Sequence, residues 1–93
     1  MLSKIPIDLK KIHPKNLDKE ILRAALIAEL DAINLYEEMA ALATNKDIKT
    51  VLLDVANEEK EHVGEFQTLL LREDPEYSKE LESGRKEVEE LIE

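Results

Sequence analysis

Two long segments of this chain repeat apolar residues at intervals of three and four, and a short polar turn separates them. That spacing follows one face of an α-helix, so it predicts two amphipathic helices at residues 17–43 and 48–72. A turn as short as residues 44–46 makes the two helices antiparallel neighbours. Asn16 and Asp47 are of the residue types that cap helix N-termini. The sequence therefore predicts an all-α fold built on a helical hairpin.

The two ends of the chain differ from this hairpin in composition. Residues 1–16 hold two prolines and four lysines, which favour an extended N-terminal arm. Asp74-Pro75 is expected to end the second helix and to begin a third element over residues 73–93. The apolar stripe of that element is thin, so it requires a partner chain. Gly84 is expected to break or kink it.

Composition narrows the classes of function. The chain has 93 residues, no cysteine and a formal net charge of −9. One domain of this size is marginal as a monomer, which favours oligomerisation. The negative charge argues against nucleic acid and anionic membranes as partners, and it attracts cations. No apolar run approaches the ~20 residues of a membrane span, and no signal peptide is recognised. We expect a soluble, cytoplasmic protein.

Three ionisable residues interrupt the apolar stripes near the middle of both predicted helices. Glu29 lies on the first stripe, and Glu59 and His62 form a Glu-x-x-His pair on the second. In an antiparallel hairpin with its turn near residue 45, residue 29 lies beside about residue 61. Burying charges without a partner costs several kcal/mol, and a metal cation would neutralise them. The pattern predicts that Glu29, Glu59 and His62 are metal ligands.

A single hairpin supplies only half of the ligands of a di-iron carboxylate site. Two copies related by a two-fold axis would close a four-helix bundle with four carboxylates and two imidazoles, which is the inventory of di-iron bundles. Such ligands suit Fe(II), and also Mn(II) or Zn(II). Tyr36 follows Glu29 by two turns on the same stripe. Its hydroxyl is either a hydrogen-bonding group behind the metal ligands or the tip of a core aromatic side chain.

The segments AELDAINLYEEMA and LLDVANEEKEHVGEF carry these residues, and with them the chain resembles the encapsulated ferritins, in particular those of archaeal and thermophilic encapsulin systems. The resemblance covers about residues 17–72. It implies a ferroxidase that oxidises Fe(II) at a di-iron centre shared across a two-fold dimer interface. Glu29, Glu59 and His62 would be the iron ligands and would carry the catalysis, with Tyr36 hydrogen-bonded behind them.

The same resemblance implies an assembly and a location. Dimers would form a decameric ring, a homodecamer, with help from the C-terminal helix. Because a ring encloses no cavity, an encapsulin shell protein would supply the volume for iron storage, which places the protein inside an encapsulin nanocompartment in the cytoplasm. Some encapsulated ferritins have an additional outer metal site, and in this chain only Asp31 could retain part of it. No Gly/Leu/Ser-rich targeting peptide is recognised, so a shortened chain, a fused shell domain and a protein that is not cargo all stay open.

Two other functions stay open from the residues. A rubrerythrin-like peroxidase would use nearly the same bundle, but it needs an electron supply, and the chain has no cysteine for a rubredoxin-type iron site. A non-enzymatic helical assembly module would use Glu29, Glu59 and His62 as a polar layer that fixes register. The preferred oxidant, dioxygen or peroxide, distinguishes the ferroxidase from the peroxidase. The absence of bound metal would indicate the assembly module.

Overall fold

The computed structural model describes residues 11 and 13–92. It contains three α-helices, α1 (Pro14–Leu42), α2 (Lys46–Glu73) and α3 (Pro75–Ile92), and no strand within these residues. α1 and α2 pack against each other as an antiparallel hairpin, and α3 contacts α2. The overall dimensions of 47 × 44 × 19 Å show that α3 projects sideways from the hairpin. None of the described helices is apolar over a length that would cross a membrane.

The first helix begins three residues before the predicted start at residue 17. His13 is its N-cap, and the His13 Nδ1 accepts a hydrogen bond from the Lys15 amide at 3.1 Å. Pro14 occupies the first helical position, where its lack of an N–H costs nothing and its fixed φ suits the helix. Asn16 is therefore inside the helix. Of the arm predicted over residues 1–16, residues 1–10 and 12 lie outside the described residues.

The second helix begins one residue before the predicted cap. Asn45, not Asp47, is the N-cap, because its side chain accepts hydrogen bonds from the amides of Asp47 and Ile48 at 2.9 and 3.1 Å. Three residues, Ala43 to Asn45, thus connect antiparallel helices of 29 and 28 residues. The predicted hairpin is confirmed, whereas the predicted N-caps, Asn16 and Asp47, are wrong.

Asp74 is the joint between α2 and α3, as the Asp-Pro pair predicts. Its Oδ1 accepts a hydrogen bond from the Tyr77 amide at 3.1 Å, which caps α3. Its Oδ2 accepts another from Arg23 Nη2 at 3.0 Å, and Arg23 Nη1 also donates to Glu20 at 3.1 Å. Arg23 lies on α1, so this ion pair ties the first turn of α3 to the hairpin.

The third helix runs without interruption through Gly84, which contradicts the predicted break. Gly84 does not have a positive φ, and a Cβ placed on it would meet no atom within 4 Å. Ion pairs one turn apart support this exposed helix. Arg85 donates to Glu82 and to Glu89, and its hydrogen bond lowers the pKa of Glu82. Such pairs favour helix in both directions from Arg85.

Gly84→Ala is expected to stabilise α3 by about 0.5–1 kcal/mol, because alanine removes the backbone freedom of glycine and has space for its methyl group. Circular dichroism and amide hydrogen exchange of α3 would measure the change. Lys86→Ala, two residues away on the same exposed helix, is the matched control and should have little effect. A loss of helicity in Gly84→Ala would instead show that the helix needs a glycine there.

The hairpin buries few side chains completely. The fully buried residues in the described part of the chain are three alanines and one leucine: Ala24, Ala40, Ala56 and Leu70. Many larger apolar side chains stay exposed, and they are found on all three helices: Ile21, Leu30, Leu42, Ile48, Val51, Leu53, Leu69, Leu81, Val88, Leu91 and Ile92. So much exposed apolar surface marks an association surface.

Candidate metal centre

The predicted ligands meet at one level of the hairpin. Glu29 lies near the middle of α1, and Glu59 and His62 lie near the middle of α2. The short turn sets the register of the two antiparallel helices, and this register brings the three side chains together. Glu59 and His62 are three residues apart, so they occupy the same face of α2.

The polar atoms of the three side chains are close enough for one ion. His62 Nδ1 lies 3.4 Å from Glu29 Oε2 and 3.5 Å from Glu59 Oε2. One candidate ligand atom from each residue lies within 4.8 Å of the other two, and within residues 11 and 13–92 this is the group of His and acidic residues with that geometry. The structure thus brings together the three residues predicted from sequence.

Glu29 Oε2 is a buried oxygen without a hydrogen-bond donor in the described part of the structure. His62 is within ion-pair distance of it, but the contact does not have hydrogen-bond geometry. An unsatisfied buried polar atom is destabilising by about 1–3 kcal/mol, and more if the group is charged. A cation bound between Glu29, Glu59 and His62 would satisfy this oxygen, so the donor set fits a metal ion.

The site is covered unevenly. The side chains of Glu29 and Glu59 are 18% and 19% exposed, whereas that of His62 is 43% exposed. Two carboxylates and one imidazole are also fewer ligands than most transition-metal ions take from a closed protein site. The hairpin therefore presents an incomplete site that is open toward one face.

Tyr36 is half-buried on α1 two turns after Glu29. Seven residues of helix place its backbone about 10 Å further along the axis. No hydrogen bond of the Tyr36 hydroxyl is found among the described residues. Both predicted roles of Tyr36, behind the ligands or in the core, stay predictions.

An ion pair that the sequence analysis did not predict lies beside the site. Lys60 Nζ lies 3.1 Å from Glu37 Oε2, and the pair links α2 to α1 one residue after Glu59. In the register that places residue 29 beside 61, residue 37 lies beside about residue 53, so the long side chains of Lys60 and Glu37 span an offset of about 10 Å along the hairpin. Because both side chains are about half exposed, the pair adds little stability.

An all-helical hairpin with a glutamate at the middle of one helix and Glu-x-x-His at the middle of the other defines a ferritin-like protein. A family model described as EncFtn-like matches residues 6–85. The chain belongs to this family, and the predicted resemblance to encapsulated ferritins is confirmed.

Similar proteins come from an archaeon and a bacterium. The chain is 55% identical over 85 residues to a ferritin-like-encapsulin shell fusion protein of Pyrococcus furiosus, a match that covers 91% of this chain and 25% of that protein. It is 43% identical over 65 residues to the encapsulin nanocompartment cargo protein EncC of Myxococcus xanthus, which covers 67% of this chain and 50% of that protein. The matches thus span a quarter to half of the length of these two relatives.

A solved structure has the same fold. The crystal structure of the encapsulated ferritin domain from Pyrococcus furiosus superimposes with a TM-score of 0.84 at 51% sequence identity. The match covers 99% of this chain and 94% of that domain. This similarity confirms the predicted all-helical, ferritin-like fold.

Proposed function

We propose that this protein is a ferroxidase, which oxidises Fe(II) to Fe(III) at a di-iron centre formed between two copies of the chain. The observation that carries the proposal is the buried, unpartnered Oε2 of Glu29 beside Glu59 and His62. Membership of the EncFtn-like family supports it, since the ferritin-like fold is compatible with iron binding.

Two copies complete the ligand set that one copy lacks. Related by a two-fold axis near the site, they supply two each of Glu29, Glu59 and His62. Four carboxylates balance the charge of two Fe(II) ions, so a buried assembly of this kind is neutral. The exposed apolar residues of the hairpin also require such a partner.

Each side chain has a distinct task in this centre. Glu29 and Glu59 hold the cations, and the more buried position of both carboxylates strengthens their attraction for positive charge. Glu59 is the candidate to bridge the two ions. His62 turns its Nδ1 toward the carboxylates, so a neutral imidazole would bind through Nδ1 and carry its proton on Nε2.

The iron is the substrate, and the electrons must balance. Two Fe(II) give up two electrons, which reduce one dioxygen to hydrogen peroxide with the uptake of two protons. A hydrogen peroxide molecule that takes two electrons and two protons gives two waters. Open positions on Fe(II) admit the oxidant, because the three protein ligands of each copy do not fill its coordination.

We propose further that the Fe(III) product is mineralised and stored within an encapsulin nanocompartment. Both relatives carry encapsulin in their names, one as a fusion to a shell protein and one as cargo. A shell protein would then be the partner of this chain, and the cytoplasmic compartment its location. The decameric ring that the resemblance implies is a part of this proposal.

The test is rapid mixing of anaerobically Fe(II)-loaded protein with dioxygen and, separately, with peroxide. A ferroxidase is expected to oxidise Fe(II) rapidly with dioxygen, at one iron per chain. Reaction with peroxide that far outpaces the reaction with dioxygen would favour a rubrerythrin-like peroxidase. If no metal binds, or if neither oxidant reacts above the buffer rate, Glu29, Glu59 and His62 form a polar layer in an assembly module.

A further inference from the structure

A single residue joins α2 to α3. Glu73 ends α2 and Pro75 begins α3, so Asp74 alone lies between helices of 28 and 18 residues. A residue that precedes proline disfavours the α region, so α2 does not continue into α3. The extended region that stays open to such a residue is broad, about ±40° in φ. The backbone therefore requires a turn at Asp74 but does not set its angle.

A small change of angle at Asp74 would move the far end of α3 a long way. The 18 residues of α3 correspond to a length of about 27 Å. A rotation of roughly 40° about Asp74 displaces the far end by about 18 Å. The two most exposed apolar side chains of α3, Leu91 and Ile92, lie at that end. The angle at Asp74 therefore determines which surface these two side chains can reach.

Little of α3 packs against the hairpin. None of the described residues of α3 is buried, and the half-buried ones, Tyr77 and Ser78, lie in its first turn. Every residue from 79 to 92 is exposed. A helix of this kind keeps one direction only if its first turn is held in place.

The side chain of Asp74 holds the first turn of α3 to α1, because it uses both of its carboxylate oxygens. Oδ1 accepts the Tyr77 amide at 3.1 Å, and Oδ2 accepts Arg23 Nη2 at 3.0 Å. The Asp74 side chain is 12% exposed. Loss of Arg23 would leave a mostly buried oxygen without its donor, which is destabilising. The contact between Arg23 and Asp74 is therefore the one that opposes rotation of α3.

Two pockets meet at this joint. A polar pocket of about 300 Å³ is lined by Lys19, Arg23, Asp74, Glu76, Tyr77 and Glu80. An apolar pocket of about 440 Å³ lies between α1 and α2, and its apolar lining is Leu26, Ile27, Leu30, Val63 and Leu70. Arg23 and Tyr77 line both pockets, and Tyr77 is the residue of α3 that borders the apolar one. A rotation of α3 would thus take Tyr77 away from the apolar pocket.

We propose that α3 is a rigid unit on a one-residue hinge at Asp74, and that the Arg23–Asp74 ion pair is the latch that holds it. While the latch is closed, Tyr77 borders the apolar pocket and α3 projects sideways. When the latch opens, α3 rotates about Asp74, which redirects its apolar end and uncovers the pocket. The latch shares no residue with the candidate metal centre, so the proposal is independent of the proposed function.

Distances between spin labels test this device, because the chain has no cysteine of its own to compete for the label. One labelled pair, Asp54→Cys with Glu87→Cys, spans the hinge. A second pair, Asp54→Cys with Arg72→Cys, lies on α2 alone and is about 27 Å apart. All three positions are exposed. Double electron–electron resonance is measured in a chelator, with an excess of unlabelled protein so that distances within one chain dominate.

Two variants open the latch from opposite sides. In Asp74→Asn, asparagine caps helices as well as aspartate, so its Oδ1 can keep the bond from the Tyr77 amide. The amide nitrogen of asparagine would then face Arg23, and two donors do not bond. Arg23→Met removes the donor but keeps an unbranched side chain beside the apolar pocket. Lys19→Met is the matched control, because it removes one positive charge from the same polar pocket and leaves the latch intact.

The wild-type protein and Lys19→Met should give the same narrow distance distribution across the hinge. Asp74→Asn and Arg23→Met should shift or widen this distribution by up to about 13 Å, the displacement of residue 87 for a rotation of roughly 40°. The pair on α2 should stay unchanged in every variant, which shows that the helix remains folded. An unchanged distance across the hinge in either latch variant overturns the proposal, and so does an equal change in Lys19→Met.

Discussion

Glu59→Ala is expected to slow Fe(II) oxidation by roughly a hundredfold or more and to leave the helices folded. Residues that only orient metal ligands contribute about 10- to 100-fold, so loss of a ligand reaches at least the upper end of that range. Glu59 is 19% exposed, its Oε2 lies 3.5 Å from His62 Nδ1, and among the described residues Glu29 is the one other carboxylate in this group. Stopped-flow oxidation with dioxygen measures the rate, and circular dichroism measures the helix content.

The controls for Glu59→Ala are Glu58→Ala and Glu61→Ala. Both carboxylates are exposed on the same stretch of α2, and both variants change the net charge by the same amount as Glu59→Ala. They should oxidise Fe(II) at rates close to the wild type. Wild-type activity in Glu59→Ala would remove Glu59 from the centre, and an equal loss in all three variants would assign the effect to general electrostatic attraction of iron.

A divalent metal ion is expected to raise the thermal midpoint of the protein by about 10–20 °C. A ligand at one hundred times its dissociation constant stabilises the folded state by about 2.7 kcal/mol, and each kcal/mol shifts the midpoint of a domain this small by about 4–8 °C. Zn(II) in air and Fe(II) under anaerobic conditions are compared with chelated protein at one fixed protein concentration. The stabilisation follows from the unsatisfied Oε2 of Glu29.

Glu29→Gln separates this effect from nonspecific cation binding. The amide removes the buried charge of Glu29, so the metal-free variant should unfold at a higher temperature than the metal-free wild type. The same variant should lose most of the shift with metal. Glu65→Gln is the control, because Glu65 is exposed on α2, and it should keep the full shift. Equal metal-induced shifts in Glu29→Gln and the wild type would contradict a site built on Glu29.

The hairpin and the proximity of Glu29, Glu59 and His62 could be predicted because both depend on local periodicity. Apolar spacing assigns the faces of the helices, and a short turn fixes which residues of antiparallel helices lie side by side. These two facts are enough to predict that Glu29 lies opposite Glu59 and His62. The encapsulated-ferritin resemblance followed from the same segments, and the EncFtn-like match confirms it.

The remaining features depend on contacts that periodicity does not encode. His13 caps α1 through an imidazole nitrogen, which is not among the usual capping groups. Gly84 continues α3 because flanking ion pairs and the weak helix penalty of one glycine are compatible with an exposed helix. The sideways direction of α3 involves the pair between Arg23 and Asp74, which are 51 residues apart in sequence. The partial exposure of the His62 side chain likewise depends on how the two helices pack, which the spacing of apolar residues does not determine.

The packing of α2 at Ala56 bears on the geometry of the candidate metal centre. Ala56 is 1% exposed, and a small buried side chain lets helix backbones approach closely. Ala56 lies one turn before Glu59, so the interhelical separation at that turn sets how far Glu29 lies from Glu59 and His62. A larger side chain at Ala56 would move the backbones apart and lengthen the distances from Glu29 to Glu59 and His62. In the proposed centre, Ala56 would thereby act as a spacer that favours metal ions of a particular size, although it contributes no ligand.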